Sequence, residues 1–208
     1  MFSALRVVWR GIGQFEHYGW LLVLANIVTV ALSLPIVTAP VAFAALSHLS
    51  HTAQSTQTAV MNDYWEAFRQ SFVRSSIIGA SNVIALIMLI TNFQVYALQS
   101  SVWFVALRIA WLLIFAAWLI IQLYLWPLMD EMVNPTLRGG LRNALVMFVF
   151  NPFFSLTLLV IITLLIIVST LFAAPWLLLT FSLLVSITNA AVLDRLHHAR
   201  ERGQLRSA

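Results

Sequence analysis

The chain has 208 residues, of which 62% are hydrophobic and only 9% charged, and its mean hydropathy is +0.94. Soluble domains carry about 25% charged residues, so an ordinary water-soluble fold is excluded. The net charge of +4 rests on arginine without a single lysine, and the arginines fall in short segments between apolar stretches rather than in one stripe with stacking aromatics, which argues against nucleic acid.

Residues 1–18 contain Arg6 and Arg10, and within them residues 11–18 are polar, with Glu16 and His17. The apolar stretch that follows outruns a signal-peptide core and offers no small-residue cleavage site, so residues 1–18 are expected to form an uncleaved segment near the membrane surface. Residues 19–49 are a membrane element broken at Pro35 and Pro40. As one helix of about 30 residues it would reach roughly 45 Å, which is long for a hydrocarbon core of about 30 Å. Each proline removes a backbone donor and disfavours helix at the residue before it. Either one kinked helix crosses once, or two short arms form a hairpin turning between Leu34 and Pro40.

Residues 62–74 are predicted to form an amphipathic helix. Asp63 and Glu66 approximate a capping pair, while Tyr64, Trp65, Phe68 and Phe72 share a face that excludes Glu66, Arg69 and Gln70. Apolar spans follow at 77–98 and 102–129. A second amphipathic helix, 135–150, opens on Asn134 and Pro135 as N-cap and first helical residue. In it Leu137, Leu141, Leu145 and Phe148 recur at helical spacing beside Arg138 and Arg142. Asn151 and Pro152 repeat the start signal before spans at 153–173 and 176–192, and residues 194–208 form a basic tail. Trp65, Phe68, Arg69, Arg138 and Arg142 are the expected interfacial residues. The two amphipathic helices either lie along the headgroup boundary or pack on each other as a small layer.

The expected fold is therefore all-α, a single polytopic transmembrane bundle. It has four long spans, a proline-broken first element (five spans, or six with a short hairpin) and two amphipathic cytoplasmic helices. The link around Gln99 and the link 169–175 carry no charge, whereas the links holding Arg69 and Arg74, Arg138 and Arg142, and Arg195, Arg200, Arg202 and Arg206 are basic. The positive-inside rule places the basic links and the C-terminus in the cytoplasm of an inner membrane. Arg6 and Arg10 ask the same of the N-terminus, which favours the hairpin. Phe68-Arg69-Gln70 and Leu141-Arg142-Asn143 suggest a faint parallel repeat of amphipathic helix, span, link and span.

Chemistry-bearing residues are few. Arg108 is the one charge well inside a span, near its outer end, where it can snorkel as an anchor or bind an anion. Asn26, Asn82, Asn92, Gln122 and Asn189 are amides in or at the ends of spans, suited to hydrogen bonding between helices or to lining a polar path. Asp130 and Glu131 read as a solvated helix end, with a salt bridge to Arg69, Arg142 or Arg195 as the alternative. The pairs His48/His51 and His197/His198 lack a third ligand of suitable spacing, so no metal is expected. Without cysteine there is no thiolate chemistry. No nucleophile elbow, phosphate-binding loop or metalloprotease motif is present, so no catalytic residue, no cofactor and no enzymatic activity are expected.

The run from Asn26 through Ser33-Leu34-Pro35-Ile36-Val37-Thr38 to Pro40, then the small-residue run to Leu46, resembles the first signature of the YesL family of bacterial membrane proteins. Asp63-Tyr-Trp-Glu-Ala-Phe-Arg-Gln-Ser-Phe72, Gln122-Leu-Tyr-Leu-Trp-Pro127 and Leu141-Arg-Asn-Ala-Leu145 resemble its later elements, in order. Ala39 departs from the glycine usual before that proline. The family has no established biochemical activity. The resemblance implies a setting beside sugar-uptake ABC transporters and two-component regulators. The expected role is a non-enzymatic accessory or scaffold linked to carbohydrate import or its sensing, with the lipid bilayer and an ABC sugar permease or a sensor kinase as partners. A small-solute transporter or channel is the alternative. Charge-free spans, Arg108 apart, favour the accessory role, because proton-coupled transporters usually bury acids.

Overall fold

The computed structural model describes residues 2–56, 58–97 and 101–201. Among them all regular structure is helical: α1 (Phe2–Ser33), α2 (Ala39–Ser55), α3 (Met61–Ala97), α4 (Val102–Asp130), α5 (Leu137–Phe150), α6 (Pro152–Thr170), a short α7 (Ala173–Pro175), a π-helical turn (Trp176–Thr180) and α8 (Phe181–Glu201). Five helices are long and apolar enough to cross a membrane: Leu5–Ser33, Met61–Tyr96, Val102–Asp130, Pro152–Thr170 and Trp176–Glu201. A helix pairs its own backbone N–H and C=O groups, so it suits a solvent that offers no hydrogen bonds.

The chain reverses between Leu34 and Thr38. Gln14, early in α1, meets Ser50 and Gln54, late in α2, so the two helices form an antiparallel hairpin with the prolines at its bend. Hydroxyls seal the bend. Ser33 Oγ donates to the Thr29 carbonyl at 2.6 Å, and Thr38 Oγ1 donates to the carbonyls of Leu32 and Pro35. Pro40 sits in the first turn of α2, where a missing N–H costs nothing.

Two expected boundaries are absent. Residues 1–18 are not a separate interfacial segment, because α1 runs unbroken from Phe2 to Ser33. Its polar stretch is used inward: Gln14 is buried, and a Cβ at Gly11 would lie 2.9 Å from the Ile187 Cα, so α1 presses directly on the α8 backbone there. Likewise the expected helix 62–74 and the described part of the span that follows it lie on one helix of 37 residues, Met61–Ala97, since nothing between Arg74 and Ile77 breaks it and Ser75 is buried. α5 starts two residues later than its expected signal, with Thr136 as N-cap accepting from the Gly139 N–H at 3.2 Å. Asn151 and Pro152 do open α6, but the Asn151 side chain turns back to the Met147 carbonyl instead of capping. The faint repeat therefore has no structural counterpart, being one helix in the first copy and two in the second.

Three apolar clusters hold the bundle together. One joins α4, α5, α6 and α8 around Tyr124, Leu158 and Ile187. Another joins α1, α2, α3 and α8 around Leu46, Leu49, Tyr64 and Val185. The third seats α2 and α3 on the end of α4 through Ala44, Ile78 and Trp126. By contrast, the distal halves of α3 and α4 are bare, with Ile84, Ile87, Val95, Val105, Ile109 and Leu113 all exposed. So large a contiguous apolar surface has no place in water. The opposite end of the bundle gathers the charges: Arg10, Asp130, Glu131, Asp194, Arg195 and Arg200.

Candidate functional site

Most polar side chains inside the bundle bind one helix to another. Asn26, fully buried on α1, donates through Nδ2 to the carbonyls of Trp176 (3.0 Å) and Leu177 (2.7 Å) and accepts from the Ser182 N–H at 2.9 Å. The wide π turn leaves those carbonyls without ordinary α-helical partners, and one amide takes up both ends of the gap. Asn189 donates to the Ser47 carbonyl at 3.0 Å, which ties α8 to α2. Deeper, the Gln14 amide donates to the Ser50 carbonyl at 2.9 Å, and its carbonyl accepts from Ser50 Oγ and Gln54 Nε2. Gln54 also donates to the Ser186 carbonyl at 3.0 Å. Tyr64 and Thr29 share a 3.0 Å hydroxyl pair, and Tyr124 and Ser155 one of 2.9 Å.

Asn82 and Gln122 meet across α3 and α4. Gln122 Nε2 donates to Asn82 Oδ1 at 2.8 Å, and the Trp118 indole N–H donates to the same oxygen at 3.2 Å. This clamp forms part of the wall of a partly open cavity of about 700 Å³ bordered by α1, α2, α3, α4, α6 and α8. Its lining includes Pro40, Phe43, Val83, Leu123, Ile162 and Leu184, and no charged residue.

The other expected site residues lie apart. Asn92 bonds within its own helix, to the Met88 carbonyl at 2.7 Å, and so joins no other element. Arg108 is half-buried on the second turn of α4 and makes no ion pair among the described residues, and its Nε has no partner. Neither residue lines the cavity. Trp65 is exposed, and its ring meets Tyr64 and Phe68 edge-on, with Phe68 continuing to Phe72. Tyr64 departs from that face and is fully buried. Arg69, Arg138 and Arg142 are exposed.

Asp130 and Glu131 have partners other than the expected arginines. His48 Nδ1 lies 2.9 Å from Asp130 Oδ1, His51 Nε2 lies 2.8 Å from Glu131 Oε1, and Arg200 lies 3.6 Å from Glu131. Two adjacent turns of α2 are thus fastened to the end of α4, and neither pair is a simple solvated residue. Beside them Asp194 binds Arg195 at 2.7 Å and Arg10 at 3.6 Å, while the Arg195 guanidinium stacks 4.1 Å over Phe154. An open cavity of about 920 Å³ lies here, lined by Arg6, Arg10, His17, Gln54 and Asp194 among others. At its rim Glu201 supplies the third donor that spacing alone did not show for His197 and His198, with ligand atoms within 4.8 Å of one another, though all three residues are exposed.

The hairpin and the helix packed on it carry a likeness to a known family. Residues 20–93 are similar to DUF624, described as a protein of unknown function. The DUF624 match runs from the distal half of α1 through the proline bend and α2 to near the end of α3, and so covers Asn26, Pro35, Pro40, Asn82 and Asn92. No curated protein and no solved structure matches the chain.

Proposed function

We propose that the chain is a non-enzymatic accessory or scaffold protein of a bacterial cytoplasmic membrane, of YesL type, serving an ABC sugar permease or a sensor kinase in carbohydrate import or its sensing. The observation that carries this reading is the use made of the buried polar groups. Asn26, Gln14, Gln54 and Asn189 are all engaged in ties between helices, so they brace the bundle, and of the four only Gln14 and Gln54 also border the open cavity at the charged end. A conduit for sugars needs polar groups facing its own lumen, and the cavity beside the Asn82–Gln122 clamp has a mainly apolar wall with no charged group among the described residues. The YesL-like signatures and the DUF624 match over residues 20–93 support the bacterial membrane setting.

The charged end is the proposed cytoplasmic face. α1 and α8 meet there through Arg10 and Asp194, and α2 and α4 meet there through the histidine–carboxylate pairs. Six helices then form three antiparallel pairs with both termini inside, and α2, at 17 residues, is the short return arm of the first pair.

Two experiments separate this reading from a transporter. Affinity isolation of the full chain from native membrane is expected to recover an ABC permease or a sensor kinase, and liposomes holding the chain alone are expected to show no sugar flux. Repeated recovery of the chain by itself, together with flux in liposomes, would overturn the proposal.

A further inference from the structure

The clamp on the wall of the 700 Å³ cavity is incomplete, and the missing part has a definite chemistry. An indole N–H can only donate, so the Asn82 atom that faces Trp118 must be the carbonyl oxygen. Gln122, which bonds to that same oxygen, must then present its NH₂ group. This fixes the orientation of both amides. It leaves Gln122 Oε1 buried with no partner, and it leaves the N–H groups of Asn82 without a hydrogen bond to any described residue. One acceptor and one donor of the same amide pair are therefore left free on a wall that is mainly apolar, its other polar groups being the hydroxyls of Thr29, Ser33, Ser76, Thr163 and Thr188. A buried acceptor left unpaired is costly, and in hydrocarbon water is not at hand to relieve it.

We infer that the cavity binds a hydroxyl-bearing lipid of the surrounding bilayer, whose hydroxyl donates to Gln122 Oε1 and accepts from Asn82 Nδ2 while its chain lies along Leu123, Ile162, Ile166 and Leu184. The volume, at roughly 30 Å³ per water-sized group, holds about twenty such groups, the bulk of a fatty chain with a small head. Several alternatives fit less well. A sugar would leave most of its hydroxyls facing apolar side chains. A fatty acid or a phosphate headgroup would find no cation, because no charged residue lines the space. A plain hydrocarbon would leave the amides unpaired.

The inference does not depend on the accessory role and is tested separately. The full chain, in nanodiscs of unbrominated phospholipid, is titrated with 9,10-dibromooctadecan-1-ol or with 9,10-dibromooctadecane, and quenching of tryptophan is followed, since Trp126 lines the cavity and Trp118 bonds to Asn82 on its wall. The alcohol is expected to half-saturate at a concentration at least about tenfold lower than the hydrocarbon. Gln122→Leu is expected to bring the two within about twofold. Val83→Phe, which adds bulk at a lining residue that makes none of the clamp's hydrogen bonds, is expected to weaken both ligands alike, and it keeps the test decisive if Gln122→Leu does not fold. Equal binding of alcohol and hydrocarbon to the wild type, a preference that survives Gln122→Leu undiminished, or quenching unaffected by Val83→Phe would each overturn the inference.

Discussion

Gly79 shows how far one methyl group reaches in this bundle. A Cβ there would fall 2.3 Å from Pro40 Cγ, and neither the ring nor the two helix backbones can yield cheaply. Gly79→Ala is therefore expected to cost about 1–3 kcal/mol, as overpacking in a filled core does. Thermal unfolding in detergent reads this directly, and an unchanged midpoint would refute the α2–α3 contact. Asn26→Leu acts by the opposite route, leaving two carbonyls and one N–H inside the bundle without partners. Intramembrane amide bonds are worth about 0.6–2 kcal/mol each, so a loss of about 2 kcal/mol is expected in the same assay. At this scale the sequence was informative about residue type and silent about partners. That amides in oily helices tie helices together holds for Asn26, Asn82, Gln122 and Asn189, because lipid offers them nothing else. Asn92 escapes the rule by donating to the Met88 carbonyl one turn back on its own helix. Gln14 and Gln54 went unnoticed because their segments read as polar, and only packing reveals that those faces turn inward.

Among the elements, proline and charge were the legible signals. The bend between Leu34 and Thr38 follows from Pro35 and Pro40, and the α6 start follows from Asn151 and Pro152. The continuity of α1 and α3 was not legible, since polarity suggests a boundary while only a breaker makes one, and neither helix contains one at the expected place. The tie between α2 and α4 was hidden for another reason: His48 and Asp130 are 82 residues apart. Its test is a comparison of unfolding midpoints in detergent: His48→Leu is expected to lower the midpoint by leaving Asp130 without its 2.9 Å partner, and an unchanged midpoint would exclude the tie.

The whole molecule has one charged end and one bare end, and its proposed orientation can be checked on a clean background because the chain has no cysteine. A single Arg138→Cys substitution is expected to resist impermeant thiol reagents in intact cells and to react once the membrane is opened. Labelling from outside would invert the topology. The helical bundle and its apolar spans were readable from composition and hydropathy, while the distal arginines at 202 and 206 and the link at 98–100 lie outside the described residues. The π turn at the head of α8 sets the rotational phase of everything after it. Such a turn accommodates one residue more than an α turn, and each residue turns a helix by about 100°. Removing one of Leu177, Leu178 or Leu179 would let the helix close into regular α geometry with Ser186, Asn189 and Asp194 still aimed at their partners. Adding a residue there would swing all three away, so at this site a deletion is the gentler lesion.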